Sequence, residues 1–268
     1  MAYRFLVIDV DGTLLNGRGT ISEEDKNAIR RVREKGIAVA ISTGRVTQAC
    51  KPIIKELGLE GSHIFFDGSL ILDISSGKEV YSSPLGKEIV RELVGFSRSQ
   101  DIYLELYSAE ELFIERFGQA SVMHYEFFGL KPKFVDFDSI LDKERIIKAE
   151  VITARGEESK IKPIKEYFGG ELNFSIARTP ALPQIDFVNL VSPEVSKGRA
   201  LEQLAAYLGV LLEETVAIGD GPNDISLLKT AGLGIAMGNA PLEVKRVAQY
   251  VTADVDHGGV AKAIAQFF

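Results

Sequence analysis

Short apolar runs alternate with amphipathic stretches over the first 66 residues. The runs end abruptly at polar residues, as where Asp9 follows Ile8, and this is typical of buried strands in a parallel sheet. Ser22 marks a helix start, and Gly36 and Gly58 mark helix ends. The pattern predicts strands over 5–8, 37–41 and 64–66, with helices over 23–35 and 46–57.

The same alternation returns in the last third of the chain. The apolar runs over 215–218 and 234–237 predict two more strands. Strands separated by helices predict an α/β fold, a doubly wound parallel sheet with right-handed crossovers. The helices of this part are predicted over 198–208, 222–229, 242–247 and 257–268.

The middle of the chain has a different pattern of apolar and polar residues. Apolar and polar residues alternate there, as over 103–106, which is typical of antiparallel strands with one buried face. Pro84 lies at the start of this segment and Pro183 lies near its end. We therefore predict two domains, an α/β core made of 1–83 and 188–268 and an inserted α+β cap made of 84–187.

Composition and charge narrow the class of protein. The chain has 268 residues, of which 46% are hydrophobic and 26% charged, as in folded globular proteins. The net charge of −7, without a basic stripe, argues against nucleic acid as a partner. No apolar run approaches the roughly 18 residues of a membrane span. The single cysteine, Cys50, suits a reducing compartment, so we expect a cytoplasmic monomer or small homo-oligomer.

Polar groups follow three of the predicted strands and begin one of the predicted helices. In an open parallel sheet, ligands bind outside the carboxyl ends of the strands, so groups far apart in sequence meet there. We expect one site to contain Asp9 and Asp11 after the first strand, Thr43, Gly44 and Arg45 after the second, Lys197 at a helix start, and Asp220, Asn223 and Asp224 after a later strand.

These residue types indicate a metal and phosphate site. Four carboxylates in one crevice repel one another unless a hard cation binds, and Mg²⁺ prefers one or two carboxylates together with water and a phosphate. Lys197 and the hydroxyl of Thr43 supply groups that bind an anion, and a carboxylate that faces phosphorus can act as a nucleophile. Each motif alone also fits a turn or a helix N-cap, and only their common position favours the site.

Taken together, the motifs resemble the haloacid dehalogenase superfamily of phosphohydrolases. The segments 43–45, 195–198, 236–240 and 258–261 resemble its Cof-type, sugar-phosphatase-like branch, whose members carry an α+β cap of class IIB between the second and third motifs. The resemblance covers essentially the whole core and says little about the substrate. The four superfamily motifs are Asp9-Val10-Asp11-Gly12-Thr13, Thr43, Lys197, and Gly219-Asp220 with Asn223-Asp224.

The resemblance implies a role for each of these residues. Asp9 would be the nucleophile, while Asp11 would protonate the leaving oxygen and then activate water. Phosphoryl oxygens would be held by Thr43 and Lys197, while Asn223 would either contact the phosphate or orient Lys197. The Mg²⁺ ligands would be Asp9, the backbone carbonyl of Asp11 and Asp220, with Asp224 either a further ligand or a residue that holds one of the ligands.

Two positions depart from the family pattern. The family often has Asn-Gly-Ala after the third strand, where this chain has Asp67-Gly68-Ser69, and often has Glu where Asn189 stands. An aspartate near the mouth would disfavour heavily anionic leaving groups or favour a hydroxyl-rich or amine-bearing one, although a turn explains Asp67 equally well. The residues expected to contact phosphate or substrate are Gly44, Arg45, Asn223, Asp67 and Asn189.

The leading hypothesis is a Mg²⁺-dependent phosphatase that hydrolyses phosphomonoesters of small metabolites, with sugar phosphates expected, through an aspartyl-phosphate. A phosphotransferase or mutase with the same intermediate is weaker, because mutases of the superfamily usually carry a helical cap at another insertion point. A non-catalytic metabolite-binding protein is the remaining alternative, and the reactive residue kept in each of the four motifs opposes it.

Overall fold

A computed structural model describes residues 3–118, 122, 129–178 and 182–268. The first part contains β1 (Phe5–Ile8), α1 (Glu23–Glu34), β2 (Ala38–Ile41), α2 (Thr47–Glu56), β3 (Ser62–Phe65), β4 (Leu70–Asp73) and β5 (Glu79–Ser82). The middle contains α3 (Lys87–Ser99), β6 (Leu104–Tyr107), β7 (Leu112–Ile114), β8 (Lys133–Phe134), β9 (Lys148–Ala154), α4 (Glu158–Phe168), β10 (Asn173–Ala177) and β11 (Ile185–Val191). The last part contains α5 (Lys197–Leu208), β12 (Thr215–Gly219), α6 (Ile225–Thr230), β13 (Leu233–Ala236), α7 (Leu242–Val247), β14 (Tyr250–Val251) and α8 (Gly259–Phe267). None of the helices seen in these ranges is long and apolar enough to cross a membrane.

A five-stranded parallel sheet forms the centre of the core, in the order β14-β13-β12-β1-β2. The chain leaves β1 toward β2 on one side and returns through β12 on the other, so a topological switch point lies at the carboxyl end of β1. Helices α1 and α8 pack against each other, as do α5 and α6. The predicted α/β fold is confirmed.

Local signals explain where the helices begin and end. The hydroxyl of Ser22 accepts a hydrogen bond from the backbone N–H of Asp25 and caps α1. The helix buries Ala28, Ile29 and Val32 on one face. Gly36 follows with φ of 81°, which stops the helix as the sequence predicts.

The third predicted strand lies beside β2 and also begins a meander that the sequence did not predict. Strand β3 forms an antiparallel meander with β4 and β5, and a single parallel bridge between Ser42 and Ile64 connects it to β2. At this bridge β3 lies parallel to β2, as predicted, and the backbone N–H of Thr43 also donates to the carbonyl of Ile64; the antiparallel pairing of its other edge with β4 was not predicted. The cause is local: Phe66 and Asp67 adopt left-handed φ angles of 52° and 54°, which turn the chain straight back into β4.

The middle segment builds a second sheet, in the order β10-β11-β9-β6-β7-β8, and all its pairs are antiparallel except β7 with β8. Helices α3 and α4 contribute Leu93 and Ile164 to the apolar cluster that also contains Leu106 and Val188. The expected domain boundary between 187 and 188 falls inside β11. We propose that the core resumes after this strand, so that the inserted cap extends to Val191.

Candidate active site

The carboxyl end of β1 leads directly into the site. Asp9 follows the strand and its backbone N–H donates to the carbonyl of Ile218, which fixes it beside β12. Gly12 has φ of 84°, and a Cβ at this position would collide with the carboxylate of Asp220. Only glycine therefore allows the first loop to lie against the loop after β12.

Three carboxylates meet around one ammonium group. Asp9, Asp220 and Asp224 each offer an oxygen, and these oxygens lie within 4.8 Å of one another. The Nζ atom of Lys197 lies 2.7 Å from Oδ1 of Asp9 and 2.6 Å from Oδ1 of Asp224. Lys197 begins α5, and it reaches the site because Gly198 lets this helix approach the backbone of Ser226.

The charges of this cluster do not balance. Burial raises the pKa of Asp9 well above its usual value, as does the charge of Asp224, whereas Lys197 lowers it. Burial and Asp224 also raise the pKa of Asp220 to about 7. Burial acts to lower the pKa of Lys197, but Asp224 and Asp9 outweigh it and raise that pKa. One cation thus faces three carboxylates in a buried site, and a further cation is needed to keep them all ionised.

The loop after β12 is held by hydrogen bonds that sequence reasoning did not assign. Asp220 accepts from the hydroxyl of Thr13 at 3.1 Å and from the amide of Asn239 at 3.1 Å. Asp224 accepts from the backbone N–H groups of Asp220 and Gly221 through the oxygen that does not face Lys197. Asp224 therefore positions both the loop and the lysine.

Arg45 binds Asp11 with two hydrogen bonds. Its Nε atom lies 2.7 Å from one carboxylate oxygen and its terminal nitrogen lies 2.6 Å from the other. Thr43 is buried beside them and its hydroxyl accepts from the backbone N–H of Arg45. The sequence placed Arg45 at the substrate, and in the structure its guanidinium group holds the side chain expected to act as acid and base.

Asp67 lies behind the wall of the site and not at its mouth. Its side chain is 3% exposed, and its oxygens accept hydrogen bonds from Asn189 at 2.6 Å, Asn223 at 2.9 Å and Ser175 at 3.0 Å. Asp67 is not among the described residues that line the cavity. The expectation that its charge acts directly on the leaving group is therefore corrected, since the carboxylate instead orients two asparagine side chains that do line the cavity.

The cap contributes a buried ion pair that the sequence analysis missed. The Nζ atom of Lys148 lies 2.6 Å from Oε2 of Glu150 and 3.0 Å from Oδ1 of Asn189. It also lies 4.5 Å from the centre of the ring of Tyr107. Two charged residues on one face of the mostly apolar strand β9 are the sequence signal that could have indicated this pair.

The core and the cap together enclose a cavity of about 380 Å³. This volume is at the lower end of small-molecule sites, so it suits a metabolite and not a macromolecule. The core side is lined by the predicted residues Asp9, Asp11, Thr43, Gly44, Arg45, Asp220 and Asn223. The cap side is lined by Tyr107, Leu130, Lys148, Glu150, Arg155, Ala177, Arg178, Pro183, Phe187 and Asn189.

Comparison with known proteins identifies the class of hydrolase to which this fold and this site belong. Residues 6–264 match the family of haloacid dehalogenase-like hydrolases, and the chain belongs to this family. Phosphatase YwpJ of Bacillus subtilis is 30% identical over 282 residues, covering 96% of this chain and 97% of that protein. A solved structure described as a subclass IIB sugar phosphatase of this superfamily has a TM-score of 0.85 at 25% identity, with 98% of each chain covered. The predicted superfamily and the predicted class of enzyme, a phosphatase, are confirmed.

One further relative is longer than this chain. The chloroplastic endoribonuclease YBEY of Arabidopsis thaliana is 31% identical over 281 residues, and this chain spans 46% of its length.

Proposed function

We propose that the protein hydrolyses phosphomonoesters of small metabolites, sugar phosphates above all, in a Mg²⁺-dependent reaction through a phosphorylated Asp9. The observation that carries this proposal is the cluster of Asp9, Asp220 and Asp224, in which the buried Asp9 and Asp224 bind Lys197 and which opens into a cavity of metabolite size. The phosphatase names of the relatives support the same reaction class.

The donor set suits Mg²⁺. All three side chains of the cluster offer oxygen, the ligand atom that Mg²⁺ prefers, and the raised pKa values of Asp9 and Asp220 follow from burial and from the neighbouring charge of Asp224. The groups that would hold the ion are the carboxylates of Asp9 and Asp220, the backbone carbonyl of Asp11 and, directly or through water, Asp224. When bound, the ion would neutralise phosphoryl charge and orient the phosphoryl group for in-line attack.

Asp9 is the group that attacks. Its carboxylate oxygen forms a bond to phosphorus while the bond from phosphorus to the leaving oxygen breaks. Lys197, 2.7 Å from Asp9, stabilises the negative charge that spreads over the phosphoryl oxygens, and the hydroxyl of Thr43 donates to one of them. The side-chain amide of Asn223, oriented by Asp67, lies at the same wall of the cavity.

Asp11 transfers the protons. Protonated, it gives its proton to the leaving oxygen, and as a carboxylate it then takes a proton from the water that attacks phosphorus. Arg45 engages both of its oxygens in the present geometry. Each of these oxygens has a second lone pair, at which the leaving oxygen or the attacking water can bind while Arg45 keeps the carboxyl group in place.

Phosphate release from p-nitrophenyl phosphate and from a panel of phosphorylated metabolites tests this function. We expect turnover that requires Mg²⁺ and is abolished by a chelator. Asp9→Asn should lower kcat/KM by more than roughly a thousandfold, about 4 kcal/mol of barrier, because an amide cannot attack phosphorus. The matched control is Asp142→Asn, a side chain 77% exposed on the cap, which should leave kcat/KM within about twofold. Activity of Asp9→Asn close to that of the control would contradict the proposal.

A further inference from the structure

A buried ion pair forms part of the cap wall of the cavity. Lys148 and Glu150 lie on the same face of β9, and their side chains are only 3% and 4% exposed. Both residues line the cavity that contains Asp9, Thr43 and the other core groups. The pair is therefore withdrawn from bulk water but accessible to a molecule bound in the cavity.

Stability does not explain such a pair. Removing two charges from water costs as much as, or more than, their attraction returns, and apolar residues of similar size often pack at least as well. The neighbouring residues of β9 are Ala149 and Val151, which belong to the apolar cluster of the cap. A strand that is otherwise suited to an apolar wall thus carries two charges where it faces the cavity, which indicates a role in binding.

Lys148 has one donor that is poorly used within the protein. Its ammonium group donates to Glu150 at 2.6 Å and to Asn189 at 3.0 Å, whereas its contact with the carbonyl oxygen of Gly44 is 3.4 Å long. Gly44 directly follows Thr43 in the loop that holds the phosphoryl group under the proposed function. The third donor thus points to the boundary between the phosphate site and the cap, where the first atoms of a leaving group would lie.

The position of the ammonium group is fixed from the core. Asn189 accepts from Lys148 through its oxygen and donates to Asp67 through its nitrogen, while Asp67 accepts from Asn223. This chain of hydrogen bonds runs from the cap pair to the asparagine beside the phosphate site. Because Lys148 is held at several points, a hydroxyl group of the substrate meets a donor that is already oriented.

The chemistry of the pair favours neutral, hydroxyl-rich leaving groups. An ammonium group only donates hydrogen bonds and a carboxylate only accepts them, whereas each hydroxyl does both. Two neighbouring hydroxyls can therefore bond to Lys148 and Glu150 at once. The pair has no net charge, and the buried Glu105, which shares the hydroxyl of Tyr107 with Glu150, adds no positive charge, so this part of the wall offers an anionic group little attraction. An alkyl chain would leave the buried charges without the hydrogen bonds that hydroxyls provide.

We propose that Lys148 and Glu150 form the specificity site of this phosphatase and recognise a neutral leaving group through hydrogen bonds to two of its neighbouring hydroxyl groups. The inference rests on the proposed function, because it assumes that the phosphoryl group lies at Asp9, Thr43 and Lys197. It adds to that function two residues of the cap and the feature of the substrate that they recognise.

Substrates matched in carbon count test the inference without any variant. Phosphate release is compared for D-sorbitol 6-phosphate with n-hexyl phosphate and for D-ribitol 5-phosphate with n-pentyl phosphate. We expect kcat/KM to be at least about 100-fold higher for the better polyol ester than for its alkyl partner, because hydrogen bonds to buried charges are lost with the alkyl chain. Equal values within each pair would overturn the inference.

A double variant tests the residues themselves. Lys148→Met with Glu150→Gln removes both charges at similar size, which avoids the uncompensated buried charge that either single change would leave. We expect the ratio of polyol to alkyl kcat/KM to fall at least about 30-fold. The matched control, Lys162→Met with Glu166→Gln, makes the same changes in an ion pair on α4 whose side chains are 70% and 68% exposed, and it should preserve the ratio.

The outcomes distinguish failure of the specificity site from failure of the proposed function. A ratio unchanged in a folded double variant, or lowered equally by the control, overturns the specificity site while the proposed function stands. Absence of Mg²⁺-dependent phosphate release from all these esters, with p-nitrophenyl phosphate included, overturns the proposed function and this inference with it. If the double variant does not fold, the comparison of matched substrates on the unaltered enzyme decides.

Discussion

Exchanging the side chains of Asp67 and Asn189, so that the carboxylate and the amide trade positions, provides a quantitative test of how the core holds the cap. Asp67 lies in the turn between β3 and β4, Asn189 lies in β11 of the cap sheet, and their side chains are joined by a hydrogen bond of 2.6 Å. Asn is the best replacement for Asp67, because it has the same shape and tolerates the left-handed φ of 54°. The change therefore affects mainly the charge and the number of acceptors.

The expected loss follows from the donors around Asp67. Three groups donate to its carboxylate, from Asn189, Asn223 and Ser175. Asp67→Asn turns these charge-assisted hydrogen bonds into weaker neutral ones and replaces one acceptor by a donor. Asn189 cannot simply rotate its amide, because its oxygen accepts from Lys148. We expect a loss of about 2 kcal/mol, which corresponds to a decrease in Tm of about 4–8 °C in a chain of this size.

The opposite single change should also destabilise. Asn189→Asp would place two carboxylates at hydrogen-bond distance, with only Lys148 to offset their repulsion. In the double variant the amide at position 67 can donate to the carboxylate at position 189, which also binds Lys148. The hydroxyl of Ser175, 3.4 Å from the side-chain nitrogen of Asn189, can rotate to donate to it. We therefore expect the double variant to melt within about 3 °C of the unaltered protein.

Thermal melts followed by circular dichroism provide the assay for the four proteins of this cycle. Strong coupling, with each single change destabilising and the double change restoring Tm, would support the geometry. Decreases in Tm that simply add would show that the two side chains do not interact, and they would refute the reasoning.

Three further predictions follow from individual contacts. Asp11→Asn should let phosphoenzyme accumulate with p-nitrophenyl phosphate, whose leaving group needs no proton, and rapid-quench experiments without accumulation would exclude Asp11 as the base. Asn239→Ala should raise the Mg²⁺ concentration for half-maximal activity about 10- to 100-fold, because Asn239 orients Asp220, and an unchanged Mg²⁺ titration would contradict this. Burial lowers the pKa of His63 to about 4, below the usual 6.5, so the unfolded chain binds more protons between these values and stability is lost as pH falls. Between pH 7.5 and 5 this lowers the free energy of unfolding by about 2 kcal/mol. In urea unfolding experiments, the free energy of unfolding of His63→Asn should therefore fall by about 2 kcal/mol less over the same pH range.

The sequence predicted the parts of the site that depend on local signals and on one rule of topology. The apolar run before Asp9 and the one before Asp220 identify buried strands, and the carboxyl ends of parallel strands share an edge. These two facts bring Asp9 and Asp220 together without knowledge of any long-range contact. The predicted strands and helices of the core accordingly match the observed ones within a few residues, whereas β4, β5 and β14 were not predicted.

Other features depend on register and docking, which periodicity does not encode. The alternation in β9 places Lys148 and Glu150 on one face, but only the docking of the cap shows that this face meets the cavity. The hydrogen bonds from Arg45 to Asp11 and the burial of Asp67 likewise depend on how loops from different strands approach each other. The antiparallel pairing of β3 with β4 follows from left-handed φ angles at Asp67 and at the phenylalanine before it. Neither residue is a glycine, the type most typical of a left-handed turn, so the sequence did not indicate this reversal.

The most direct test of the account is to locate the phosphoryl group on the enzyme. Asp11→Asn protein is quenched in acid during turnover of p-nitrophenyl phosphate with Mg²⁺, reduced with borohydride to convert an acyl phosphate into homoserine, and digested with trypsin. Cleavage after Arg4 and Arg18 gives a peptide of residues 5–18 in which Asp9 is then the only side-chain carboxylate. We expect homoserine at position 9 of this peptide. Homoserine at another position, or none while turnover is measurable, would contradict Asp9 as the nucleophile.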